Sequence, residues 1–80
     1  MKTFKNPIHK KEYTNEFGEK MTMVVDRNCV MWIHHEDCNK DFERATEFNY
    51  ILNKGEVDAI QDFAEESEKI VKNLQKDLDN

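Results

Sequence analysis

The feature that most limits the fold lies in the last third of the chain. Asn53-Lys54-Gly55-Glu56 has the form of a capping box: an N-cap amide, then a glutamate three residues on. Apolar residues then recur at Val57, Ile60, Phe63, Ala64, Ile70, Val71, Leu74 and Leu78, mostly at spacings of three and four, with Ser67 as the one polar gap. A helix gathers those positions into one stripe. Acids crowd the first half and lysines the second, which suits the helix dipole. The spacing predicts a helix over about 54–78. A helix with one apolar stripe needs a surface to lie on, and the rest of the chain must supply it.

Upstream the pattern is that of strands. Lys20–Asp26 and Cys29–His35 are rich in β-branched, methionine and aromatic residues. Arg27-Asn28 between them fits a two-residue hairpin turn, with Asn28 tolerating the left-handed region. Glu16-Phe17-Gly18-Glu19 fits a second turn, with Gly18 supplying a positive φ and His9–Asn15 pairing on its far side. Residues 42–52 fit two patterns. Phe42, Thr46, Phe48, Tyr50 and Leu52 alternate as in a strand; Phe42, Ala45, Phe48 and Leu52 also fit a helix. The capping box at Asn53 favours a strand over Glu43–Leu52. The expected fold is α+β: an antiparallel meander of three to four strands, about 9–15, 20–26, 29–35 and 43–52, with one long C-terminal amphipathic helix across it.

Both faces of this sheet are partly apolar. Strand 29–35 carries Cys29, Met31, Ile33 and His35 on one face and Val30, Trp32 and His34 on the other; strand 20–26 carries Met21, Met23 and Val25 on one face and Val24 on the other. One helix covers one face, so the pattern predicts a homodimer or an obligate partner on the other. The simpler alternative is that residues 1–8, with Phe4 and Ile8, fold over it.

A chain of 80 residues forms one domain. Charged residues are 36% and mean hydropathy is -0.93, but the eight aromatic residues argue against disorder. No apolar leader and no membrane-spanning run are present, which predicts a cytoplasmic protein with Cys29 and Cys38 as free thiols. No phosphate loop, dinucleotide fingerprint or oxyanion turn is present, so neither an enzyme nor a cofactor is expected.

Three constellations remain. Glu56, Asp58, Asp62, Glu65, Glu66 and Glu68 lie on the helix with no base among them, within a net charge of -5. Such carboxylates can occupy the groove of a basic nucleic-acid-binding protein, as a phosphate backbone does. They also suit a solvated helix face. Lys2, Lys5, Lys10, Lys11, Lys20 and Arg27 are interleaved with Phe4, Tyr13, Phe17 and Trp32, the chemistry that holds single-stranded RNA. Solvated lysines beside core aromatics are the plainer explanation. Cys29, His34, His35 and Cys38, with Glu36 and Asp37, are metal-ligand types, and Cys38 beside His35 has the makings of a nucleophile and base. The spacing matches no zinc signature, and Cys29 and His35 stand about 20 Å apart on a strand.

In type, the short length, scarce glycine and proline, and acidic helix from Glu56 to Asp79 resemble the small proteins that lytic phages make to take over a host. That resemblance implies binding to a host nucleic-acid-associated protein or to RNA. The leading expectation is a non-enzymatic dimer whose acidic face blocks a basic partner by nucleic-acid mimicry. The alternative is an RNA-binding module using Lys5, Lys10, Lys11, Lys20, Arg27 and Trp32.

Overall fold

Two hairpin loops of one design set the sheet. In the first, the Asn15 N–H donates to Glu19 O, Gly18 N–H donates to Asn15 O, and Asn15 Oδ1 accepts from the Phe17 and Glu19 amides. In the second, Asp26 N–H donates to Val30 O, Cys29 N–H donates to Asp26 O, and Asp26 Oδ1 accepts from the Asn28 and Val30 amides. Each is a three-residue loop closed by a side-chain oxygen at its first corner. Each needs a left-handed residue in its last position. Gly18 meets that need in the first, with φ 81°, as expected. In the second it falls on Cys29, with φ 65°, not on Asn28. The expected two-residue turn is therefore one residue longer, and Cys29 lies in the loop and not on the strand.

A computed structural model describes residues 2–79, with the side chains of 76–79, Leu78 among them, outside the description. The elements are β1 (His9–Thr14), β2 (Lys20–Val25), β3 (Met31–His35), β4 (Glu43–Arg44) and α1 (Lys54–Asp79). The four strands form an antiparallel meander in the order β1-β2-β3-β4, with the helix across one face. The expected α+β arrangement is the observed one.

The fourth strand is the main correction. The expected strand over 43–52 is two residues long, because the chain turns at once. Arg44 O accepts from both Glu47 and Phe48 amides, a single helical turn that ends the ladder after Ala45 N–H reaches Met31 O. Both periodicities in that stretch left a trace: a short strand first, then one turn.

Register places His9, Lys11, Tyr13, Met21, Met23, Val25, Met31, Ile33 and His35 on the helix side. Met21, Met23, Val25, Ile33 and Phe63 form the buried core. The outer side carries Lys10, Glu12, Thr22, Val24, Trp32 and His34. Val24 is buried there too, so β2 is covered on both faces. The cover is the N-terminal segment. Phe4 packs edge-on against Phe42 at 5.0 Å and tilts against Trp32 at 5.8 Å. Lys2 Nζ lies 3.8 Å from the Trp32 ring centroid, and the Lys2 amide donates to Asp41 at 2.7 Å. The outer face, the ground on which a dimer was expected, is thus covered in part, over Trp32 and Phe42, from within the chain.

Candidate functional site

The capping box forms as the sequence predicts. Glu56 N–H donates to Asn53 Oδ1 at 2.9 Å, and Asn53 N–H donates back to Glu56 Oε1 at 3.1 Å. What the sequence did not show is that Glu56 is buried, at 4% exposure. Its other oxygen accepts a hydrogen bond from His35 Nε2 and a long one from Asn15 Nδ2 at 3.5 Å. His35 Nδ1 accepts the Asp37 amide, so the ring proton sits on Nε2 and points at the carboxylate. Tyr13 closes against the same turn: a Cβ on Gly55 would stand 2.4 Å from its hydroxyl oxygen, so a side chain there would displace the Tyr13 ring. A buried polar hub therefore ties the helix start to the first hairpin and to the end of β3.

Large apolar side chains are left exposed around this hub. Phe17, at the tip of the first hairpin, is 74% exposed and Ile51, two residues before the helix cap, is 101% exposed. Tyr50 and Val57 are also exposed. A chain of bonds joins the Phe17 amide to the helix start: Phe17 N–H to Asn15 Oδ1, Asn15 Nδ2 to Glu56, and Glu56 to Asn53, whose carbonyl accepts from Val57 N–H. Tyr50 is fixed further by its hydroxyl, which donates to Glu43 at 2.9 Å and is held above the usual phenol range chiefly by that bond. The four residues share one end of the molecule. Exposed acids flank them: Glu16 beside Phe17, Glu47 before Tyr50, and Asp58 beside Val57. Val57 was expected in the buried stripe; Glu56 takes that place because its carboxylate is anchored beneath.

The six helix carboxylates do not act as one surface. Glu56 is in the hub. Glu66 receives His9 Nε2 at 3.2 Å and Lys11 Nζ at 3.1 Å, which hold its carboxyl below the usual range. Asp58 pairs with Lys54 at 3.5 Å and Glu68 with Lys72 at 3.0 Å, both on the helix surface. Asp62 and Glu65 are exposed and have no cation partner among the described residues.

The basic set is divided as well. Lys10 and Lys20 lie with Lys2, Phe4, His34 and Phe42 along an outer-face groove of about 680 Å³. Glu12 and Glu36 line the same groove, and Lys20 stands 3.9 Å from Glu12. Lys11 is on the other side of the sheet. Arg27 is in the β2–β3 loop, at the opposite end of β2 from Lys20, and Lys5 is exposed in the N-terminal segment. Trp32 lies under Lys2 and Arg44, with its indole N–H on Asp26 at 2.9 Å, so its ring is engaged within the chain.

The cysteine and histidine set is dispersed. His34 faces outward, His35 faces the helix, and Cys29 is in the loop before β3. Among the described residues no three His, Cys, Asp or Glu side chains come together to hold a metal ion. Cys38 and Cys29 are both free thiols. Burial and the carboxylates of Glu56, Glu19 and Glu43 push the Cys38 thiol up, the reverse of what a nucleophilic thiolate requires. No helix among the described residues is long and apolar enough to cross a membrane. No family model, curated protein or solved structure matches the chain.

Proposed function

We propose that the chain is a non-enzymatic docking protein that seats the Phe17, Tyr50, Ile51 and Val57 end on a basic protein partner. The observation that supports this reading is the exposure of Ile51 and Phe17 beside a buried hub that holds the Phe17 amide and the helix start. Large exposed apolar groups at one place mark interaction sites, and pre-positioning them lowers the ordering cost of binding. Aromatic and aliphatic anchors ringed by charge is the anatomy of a protein interface.

The acids Glu16, Glu47 and Asp58, continued along the helix by Asp62 and Glu65, give the partner's sign. Basic surfaces of this kind belong to nucleic-acid-binding proteins, and covering one would exclude its nucleic acid. The resemblance in type to small phage host-takeover proteins fits a partner of that kind. The acidic contact is narrower than the sequence implies, because Glu56 and Glu66 are committed within the fold.

The test is retention of cell proteins on the immobilised chain, compared with two variants whose circular dichroism matches the parent. One carries Phe17→Ala and Ile51→Asp; the other carries Asp58→Lys, Asp62→Lys and Glu65→Lys. A basic protein held by the parent, released at moderate salt and lost from both variants is the expected result. Equal retention by both variants would overturn it. Tight binding of single-stranded RNA by the purified chain, weakened by Lys10→Glu, would move the site to the outer groove.

A further inference from the structure

The outer face of the sheet carries a cavity of about 680 Å³, the size of a small-ligand site. Strand register lays out the rows of this face. Lys10, Val24 and Trp32 stand side by side across β1, β2 and β3; Glu12, Thr22 and His34 form the next row; Lys20 and Glu36 follow. The N-terminal segment crosses the first row. Ile8 bonds to Val25, Asn6 turns the chain at φ 51°, and Phe4 reaches Trp32 and Phe42. The cavity is therefore closed at its Val24 end and walled by the Phe4 and Phe42 rings.

The floor holds polar atoms that the fold does not use. Thr22 is 9% exposed and lines the cavity, and its hydroxyl has no hydrogen-bond partner among the described residues. Beside it the His34 ring lies 5.5 Å from Phe42, and its nitrogens have no hydrogen-bond partner among the described residues either. A buried polar group without a bond is costly, so such groups mark a place for a ligand that bonds to them. A flat ring with a hydrogen-bonding edge can meet Thr22 and His34 with that edge and the two phenyl rings with its face.

The charges orient such a ligand. At the closed end Lys2 and Lys10 line the cavity, and neither has a carboxylate partner among the described residues. At the other end Lys20 is offset by Glu12 at 3.9 Å, and Glu36 has no cation partner among the described residues. One end thus takes an anion and the other a hydrogen-bond donor. The strand from Val24 to Lys20 spans about 13 Å, which matches a mononucleotide from its phosphate to an exocyclic amine.

We propose that the outer-face cavity binds a nucleoside monophosphate with an amino-bearing base. Lys2 and Lys10 hold the phosphate, the base lies against Phe4 and Phe42 over Thr22 and His34, and Glu36 accepts from the exocyclic amine. The N-terminal segment across the phosphate end admits a ligand that stops there and excludes a strand that runs on. The site is on the opposite side of the sheet from the helix, and it does not rest on the docking reading.

Equilibrium dialysis of the full chain against adenosine monophosphate tests it, with adenosine, inosine monophosphate, inorganic phosphate and a single-stranded oligoadenylate for comparison. Adenosine monophosphate is expected to bind at least about tenfold more tightly than adenosine, which lacks the phosphate, or inosine monophosphate, which lacks the amine. Lys10→Glu and Thr22→Val, each with unchanged circular dichroism, are expected to weaken it by at least about tenfold and about fivefold. Absence of binding at millimolar ligand, or binding indifferent to both variants, would overturn the proposal. So would inorganic phosphate held as tightly as the nucleotide, which is an adventitious ion only, or oligoadenylate held more tightly, which is an open groove and not a closed site.

Discussion

Asp26 shows how much one side chain can organise. Its carboxylate closes the second hairpin through the Asn28 and Val30 amides and holds the Trp32 indole at 2.9 Å. Burial raises its pKa, but the bonds from Trp32, Val30 and Asn28 outweigh that and leave it below the ordinary value. A lowered folded pKa means stability that is full above the unfolded value of about 3.9 and is lost as pH falls through the folded one. Trp32 is the only tryptophan, so its fluorescence reports the event. An acid titration is expected to show an emission change with its midpoint below about pH 4. Asp26→Asn is expected to abolish that transition; its persistence in the variant would assign it to another group. The sequence marked this loop but placed the left-handed residue at Asn28. Asn28 is the commoner left-handed residue type, but the extra residue in the loop, closed by Asp26 and Val30, puts Cys29 there.

The helix start carries the corresponding lesson for elements. A capping box is local, spanning Asn53 to Glu56, so four residues suffice to read it. The burial of Glu56 depends on His35, 21 positions away, and on Asn15, 41 positions away, which no local pattern shows. Glu56→Ala leaves His35 Nε2–H and the Asn53 amide without a partner inside the fold. It is expected to lower unfolding free energy by about 3 kcal/mol, as measured by urea denaturation, and a loss no larger than that of an ordinary surface cap would refute the buried hub. The short fourth strand was illegible for a related reason. Residues 42–52 satisfied two periods, and the choice fell to the hydrogen bonds of Arg44 O.

For the whole molecule, the strand pattern was legible because β2 alternates little and is buried on both faces, so MTMVV stands out. The cover on its outer face was legible only as an alternative, since Phe4 and Phe42 meet across the chain. The exposed end was not legible at all. Phe17, Ile51 and Val57 look like core residues in a sequence, and only accessibility separates them from Phe63. The meander has one more consequence, for the route by which the chain folds. Every strand pairs with its neighbour in sequence, so the sheet can assemble by closing short loops, one hairpin at a time. The helix is different: its bonds to His9 and Lys11 span 57 and 55 residues. Chain-closure entropy then favours a sheet nucleated at the hairpins and a helix that docks late. In stopped-flow kinetics, Asp26→Ala is expected to slow folding, while Phe63→Leu is expected chiefly to speed unfolding. The reverse pattern would put the helix in the nucleus. With the order expected, the helix start matures last, because Asn53 and Val57 take their places only when the Glu56 carboxylate closes on His35.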